Sequence, residues 1–292
     1  MQQTDLVISC DELTGIMADP DVRIIDCRFE LLDAEAGRRL YREQHIPGAV
    51  FADLDRDLAA PVGAGTGRHP LPDAGTLAET FGRLGIANSS RVVVYDQGNG
   101  ALAARCWWLL RWLGHDAARL LDGGFARWQA LNLPTATGEF AGIPAHFAPA
   151  PRDDLVLLTR EIVAAGADCG SLQLVDARDS ERFAGRHEPI DPVAGHIPGA
   201  INLPFTASLN ADETWRKPAE LRTLWEKTLG EGVNRPWSAM CGSGVTACHL
   251  VLSGLIAGLP EPRVYVGSWS EWISGPDRPI TPRPGLNHAE GA

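Results

Sequence analysis

The chain has 292 residues, of which 45 % are hydrophobic and 22 % charged, with a formal net charge of −11. This is an ordinary globular composition, long enough for one large or two medium domains. The acidic balance excludes a nucleic-acid binder, which needs a basic face, while leaving room for a small anionic substrate at a locally positive site.

Residues 1–5 carry neither the basic nor the apolar stretch of a signal peptide, and no apolar run reaches the length of a membrane span. A cytoplasmic protein without membrane contact is expected. Residues 22–26 read as a short apolar strand, and 45–50 as a turn into a second strand. Residues 74–84 have a helical pattern, with Asp73 as cap and Gly85 as stop. Residues 91–95 form a β-branched third strand, and 102–113 a helix stopped by Gly114. Cys106, within that helix, reads as packing. Residues 136–153 hold Pro144, Pro149 and Pro151 without an apolar period. They read as an extended linker between an N-terminal domain, 1–135, and a C-terminal domain, 154–292. The second half continues with a helix at 155–165, strands at 172–176 and 200–203, and a helix at 219–229. A strand at 236–240, a buried helix at 245–259 and a last strand at 263–266 follow. The Pro- and Gly-rich tail after Gly275 is expected to add little to the core.

A long internal repeat fixes the count of two domains. Asp26-Cys27-Arg28 returns as Asp176-Ala177-Arg178. His45-Ile46-Pro47-Gly48-Ala49 returns as His196-Ile197-Pro198-Gly199-Ala200. Gly123-Gly124-Phe125-Ala126-Arg127-Trp128 corresponds to Gly267-Ser268-Trp269-Ser270-Glu271-Trp272. Alternating strands and helices imply an α/β fold with a mostly parallel sheet in each half. Ligands of such sheets bind beyond the carboxyl ends of the strands.

Six cysteines, Cys10, Cys27, Cys106, Cys169, Cys241 and Cys248, are scattered along the chain and read as free thiols of a reducing compartment. Cys241 stands apart. It sits between a strand and a helix, in Cys241-Gly242-Ser243-Gly244-Val245-Thr246. Glycines let such a turn aim successive N–H groups at one point, and the helix start adds partial positive charge. Both favour a thiolate, so Cys241 is a candidate nucleophile. Cysteine phosphatases need an arginine six residues after the cysteine, and that position is Ala247. Cys248-His249 lacks a second ligand pair at zinc-site spacing, so no metal is expected, and Cys248, on the inward face of a buried helix, reads as packing rather than as a resolving thiol. The first half has Asp96 where the second has Cys241 and is expected to be catalytically silent.

The loop from Cys241 to Thr246 resembles that of the rhodanese-type sulfurtransferases, more narrowly the 3-mercaptopyruvate branch. The thiosulfate-preferring branch usually has basic residues where this chain has Gly242 and Ser243. The resemblance covers nearly the whole chain and implies two tandem rhodanese-like domains. It implies transfer of sulfur from 3-mercaptopyruvate through a Cys241 persulfide to a thiol or to cyanide, releasing pyruvate, with thiosulfate as the alternative donor. It further implies a Ser243–His69–Asp55 arrangement, Asp55 being favoured over Asp53 by motif position. Gly242, Gly244, Val245 and Thr246 are expected to contact substrate, and Arg182 to bind its carboxylate. A second arginine is often found nine residues later, where this chain has Asp191, and Arg186 is the candidate to replace it. Arg178, His45 and His196 recur in both halves and are expected to be structural. No cofactor is implied. The expected partners are a small sulfur donor and a thioredoxin-like or low-molecular-weight thiol acceptor, in a monomer or weak homodimer.

Overall fold

The computed structural model describes residues 6–166 and 172–282; Cys169 lies outside them. The first half runs β1 (Val7–Ile8), α1 (Cys10–Ile16), β2 (Val22–Asp26), α2 (Ala36–Glu43), β3 (Ala49–Phe51), α3 (Ala74–Arg83), β4 (Arg91–Tyr95), α4 (Ala103–Trp112), β5 (Ala118–Leu121) and α5 (Gly124–Ala130). The second half repeats the plan as β6 (Val156–Leu157), α6 (Thr159–Ala165), β7 (Leu174–Asp176), α7 (Ser180–Phe183), β8 (Ile201–Asn202), α8 (Pro218–Leu229), β9 (Ser238–Met240), α9 (Thr246–Ile256), β10 (Arg263–Tyr265) and α10 (Ser268–Trp272).

Each half builds a five-stranded sheet, in the orders β1-β5-β4-β2-β3 and β6-β10-β9-β7-β8, and the strand pairs are parallel. The central strands are apolar on both faces, as parallel strands between helix layers must be: Val92, Val93 and Val94 are all buried. In each sheet the chain steps outward to one side after β2 or β7 and to the other after β4 or β9. The order therefore reverses between these two central strands, which opens a crevice at their carboxyl ends.

Several elements differ from the sequence reading. The helix expected over 155–165 does not run through: Leu155 closes a short 3-10 turn, Asp153–Leu155. Val156 and Leu157 pair with Val264 and Tyr265 as an edge strand, and only Thr159–Ala165 is helix. The two-residue strand β1 and the helices α1 and α2 escaped the pattern because they are too short to show a period. The segment after Gly275 contributes more than expected. Ile280 packs against the cluster of Leu174, Ile197, Trp269 and Trp272 in the second half, Trp272 Nε1–H donates to the Pro279 carbonyl at 2.9 Å, and Thr281 exchanges backbone hydrogen bonds with His196. Ala136 pairs with His45 in the same way at the end of the first half.

The repeated Asp-x-Arg pairs are buried in both halves. Arg28 and Arg178 bind Asp26 and Asp176 at 2.6 and 2.7 Å, and each guanidinium lies over an aromatic ring, Phe125 or Trp269. His45 and His196 stack on Tyr41 and Phe183 and bond through Nδ1 to the carbonyls of those residues.

The halves meet where α4 packs on α9. Both helices are apolar almost all round, which is tolerable only for a helix buried on every side. Trp107, Trp108 and Leu110 on α4 and Leu250, Val251 and Leu252 on α9 belong to one core cluster spanning both halves. His249, on α9, reaches across the junction. It stacks on Trp215 at 4.2 Å and bonds through Nε2 to the Asn99 carbonyl at 3.1 Å. Burial pushes its pKa from 6.5 down to about 3. Between those values the unfolded chain binds a proton that the folded chain does not. This contribution to stability is therefore complete above pH 6.5 and is lost as pH falls toward 3. Denaturant melts at pH 7, 5.5 and 4.5 are expected to show falling stability, with a flatter dependence in His249→Gln.

Candidate active site

Residues 241–245 form a tight turn between β9 and α9, at the carboxyl end of a central strand. Gly244 makes the turn possible. Its φ is +79°, and a Cβ there would lie 2.6 Å from the Val266 carbonyl oxygen. The turn is fastened to the next strand–helix junction. Ser268 Oγ accepts the Cys241 N–H at 3.1 Å and donates to the Tyr265 carbonyl at 2.8 Å. The N–H groups of Trp269 and Ser270 donate to the carbonyls of Cys241 and Gly242 at 3.0 and 2.9 Å. Cys241 is buried, and the Gly244 N–H donates to its Sγ at 3.1 Å.

The corresponding turn of the first half holds Asp96. Its carboxylate accepts the N–H groups of Gly98 and Gly100 at 3.0 Å each, Leu102 at 2.9 Å and Ala103 at 3.1 Å. A strand–turn–helix junction of this kind converges donors on an anion at the position after the strand. In the first half the chain's own carboxylate fills that cradle.

Ser243 Oγ lies 2.7 Å from His69 Nδ1, and Asp55 Oδ1 lies 3.2 Å from His69 Nε2. Both Asp55 and His69 come from the long loop after β3, so the first half supplies them. Burial, then the nearby Arg105 and Arg68 cations, push the His69 pKa down to about 3. The ring is thus neutral. Asp55 draws the ring proton to Nε2, which leaves the Nδ1 lone pair to accept the Ser243 O–H. Asp53 instead caps its own turn by accepting the N–H groups of Asp55 and Arg56 at 2.9 and 3.1 Å.

A pocket of about 170 Å³ opens over Cys241, with Gly242, Ser243, Val245 and Thr246 in its wall. Phe29, Leu31, Leu54 and Ile190 make its apolar side, and Arg68 and Arg182 its cationic side. A Cβ on Gly242 would lie 2.9 Å from Arg68 Nη2 and 3.5 Å from Arg182 Nη2, so both guanidiniums lie over that glycine. Arg186 is not there. Arg186 is exposed and forms an ion pair with Glu181 at 2.5 Å. The second cation of the pocket is Arg68, from the other half.

The sequence model of the rhodanese-like domain matches residues 9–131 and 159–274. The chain belongs to the rhodanese-like domain family. A probable 3-mercaptopyruvate sulfurtransferase of Pseudomonas aeruginosa is 47 % identical over 94 % of this chain and 97 % of its own. The 3-mercaptopyruvate sulfurtransferase of Rattus norvegicus is 41 % identical over 90 % of this chain and 88 % of its own. The crystal structure of SseA from Escherichia coli, described among 3-mercaptopyruvate sulfotransferases, superposes with a TM-score of 0.80 at 31 % identity, covering 90 % of this chain and 98 % of that one. Each five-stranded sheet with its helices is thus a rhodanese-like domain.

Sequence reasoning passed over two cations of this rhodanese-like pair. Arg68 stands beside His69 in the sequence, and that adjacency was the available signal. Arg105 lies within the apolar run of α4 and is fully buried. A charge inside an otherwise apolar helix was its signal. Its guanidinium donates to the carbonyls of Leu58, His69 and Gly244 at 3.4, 3.4 and 3.2 Å, tying the Cys241 turn of one domain to the loop of the other. Cys248 donates its thiol to the Gly244 carbonyl at 3.3 Å, and burial pushes its pKa up to about 12. That environment keeps it a packed thiol.

Gly244→Ala is expected to lower stability by about 1–3 kcal/mol, because it forces both the left-handed backbone and the clash with Val266, and to lower activity with it. Arg105→Lys keeps the charge but offers no planar fork for three carbonyls. It is expected to lower kcat at least about 10-fold with a reduced melting temperature, a rate loss near 1.4 kcal/mol.

Proposed function

We infer that the protein is a 3-mercaptopyruvate sulfurtransferase that works by double displacement through Cys241. The observation carrying this reading is the meeting, in one small pocket, of a cradled cysteine, a Ser–His–Asp chain and two arginines over a glycine. Arg68 and Arg182 receive the donor carboxylate. Cys241 gives up its proton through Ser243 to His69 and attacks the donor sulfur. The new S–S bond forms as the carbon–sulfur bond breaks, and its electron pair passes into the enolate of pyruvate. Once protonated, His69 has two N–H donors: Nε2–H faces Asp55 and Nδ1–H turns to Ser243. The Ser243 O–H is then free for the enolate oxygen, a donor aimed where charge develops. The proton held on His69 completes the methyl group of pyruvate. The Cys241 persulfide rests among the N–H groups of the turn until a thiolate, or cyanide in an assay, takes the outer sulfur.

Gly242 favours this donor over thiosulfate. The loop carries no cation of its own there, and a side chain at that position would have to displace the tip of Arg68. The first domain supplies His69, Asp55 and Arg68 without a nucleophile and acts as the wall of the site. The acceptor fitting a pocket of this size is a low-molecular-weight thiol or the exposed thiol of a thioredoxin-like protein. Among the described residues no helix is long and apolar enough to cross a membrane. We assign the enzyme to the cytoplasm, as a monomer or weak homodimer.

Intact mass after brief exposure to 3-mercaptopyruvate without acceptor tests the reading. Wild type is expected to gain one sulfur atom, and Cys241→Ser none. A gain from thiosulfate alone would move the enzyme to the other branch. Ser243→Ala and His69→Gln are expected to lower kcat by about 10²–10³-fold while sparing KM. With His69 neutral down to about pH 3, the acid limb of kcat/KM is expected to show no inflection near 6.5.

A further inference from the structure

The two pocket arginines are not isolated cations. A single carboxylate, Asp191, gives one oxygen to each: Oδ2 accepts from Arg182 Nη2 at 2.9 Å and Oδ1 accepts from Arg68 Nη1. Its side chain is 2 % exposed, against 29 % for Arg68 and 14 % for Arg182. It therefore lies behind the guanidiniums and does not line the pocket. Glu188 takes Arg182 Nε at 2.9 Å and stands 3.6 Å from Arg178, which in turn binds Asp176 at 2.7 Å. The result is an unbroken alternating row, Asp176–Arg178–Glu188–Arg182–Asp191–Arg68. Three cations meet three carboxylates, and the row as a whole carries no net charge. What reaches the pocket is a set of N–H groups: Arg68 Nη2 and both terminal nitrogens of Arg182 lie within 4 Å of where a Gly242 Cβ would be.

We propose that Asp191 is a specificity-determining positioning residue that selects singly charged donors against doubly charged ones. It joins an arginine of one domain to an arginine of the other, with their free edges over Gly242, and it subtracts one charge from the field they project. The first effect serves any small oxyanion. The second does not, because the interaction of a bound anion with a fixed charge scales with the anion's own charge. A carboxylate donor of charge −1 bears the repulsion of Asp191 once, and a −2 oxyanion such as thiosulfate bears it twice. This inference rests on the sulfur-donor reading of the pocket and adds a cause for the donor preference.

The test uses unreactive probes first. Pyruvate and sulfate are titrated into wild type, Asp191→Asn and Glu181→Gln, with dissociation constants read from tryptophan fluorescence. Glu181→Gln makes the same change of overall charge at the exposed pair with Arg186. Losing the clamp weakens both probes alike and cancels in their ratio; losing the charge does not. In Asp191→Asn the preference for sulfate over pyruvate is expected to rise at least about 3-fold, since a charge change that helps a −1 anion about 3-fold helps a −2 anion about 9-fold. Glu181→Gln is expected to leave the ratio unchanged. If Asp191→Asn does not fold, Glu188→Gln removes the neighbouring carboxylate and is expected to move the ratio in the same direction. An unchanged ratio, or a shift toward pyruvate, would overturn the proposal. The ratio of kcat/KM for thiosulfate over 3-mercaptopyruvate should follow the binding ratio. Wild type turning over neither donor would instead sink the sulfurtransferase reading, and the probe titrations would still decide the role of Asp191.

Discussion

Helices α4 and α9 leave corresponding turns of the two domains and bury their sides against each other, and the site depends on that contact. It sets the turn after β9 against the loop after β3, so Ser243 comes within 2.7 Å of His69. Arg105 is the polar part of the same contact. A buried guanidinium without a carboxylate partner is costly, and here three backbone carbonyls from both domains hold it. The arrangement fixes the turn from behind while the fastening through Ser268 fixes it from the side.

The two domains show the same turn in two states. In the first, four N–H groups close on the Asp96 carboxylate. In the second, a cysteine stands at that point and one N–H reaches its sulfur. A carboxylate saturates the cradle and leaves nothing for a ligand. A single sulfur leaves donors open for a further atom attached to it. The residue after the strand thus sets the two turns apart, while the buried Asp–Arg pairs and the stacked histidines remain common to both.

Charge at the pocket is organised by pairing and not by surplus. A chain of net charge −11 turns a few N–H edges toward Gly242, with carboxylates behind them. Such edges act through hydrogen-bond geometry more than through long-range attraction. Gly242, having no side chain, leaves the space above it to guanidiniums from two other segments.

Much of this was legible in the chain itself. The repeat of Asp-x-Arg and His-Ile-Pro-Gly-Ala declared two copies of one α/β domain, because such motifs carry local turn and pairing chemistry. The glycine-flanked turn of Cys241 between a strand and a helix was legible for the same reason. Short elements such as β1, β6 and α2 were not legible, since two to eight residues give no measurable period and their pairing partners lie far along the chain. Val156 and Leu157 became strand because an open sheet edge was available to them. The second cation of the pocket could not be read by counting from Arg182, since Arg68 is 114 positions earlier and arrives only when the domains pack. Sequence by itself determined that each half folds as an α/β domain and that Cys241 stands on a strand-to-helix turn, because those depend on neighbours along the chain. Tertiary structure decided which distant charges meet over it, because those depend on how α4 and α9 bring the two halves together.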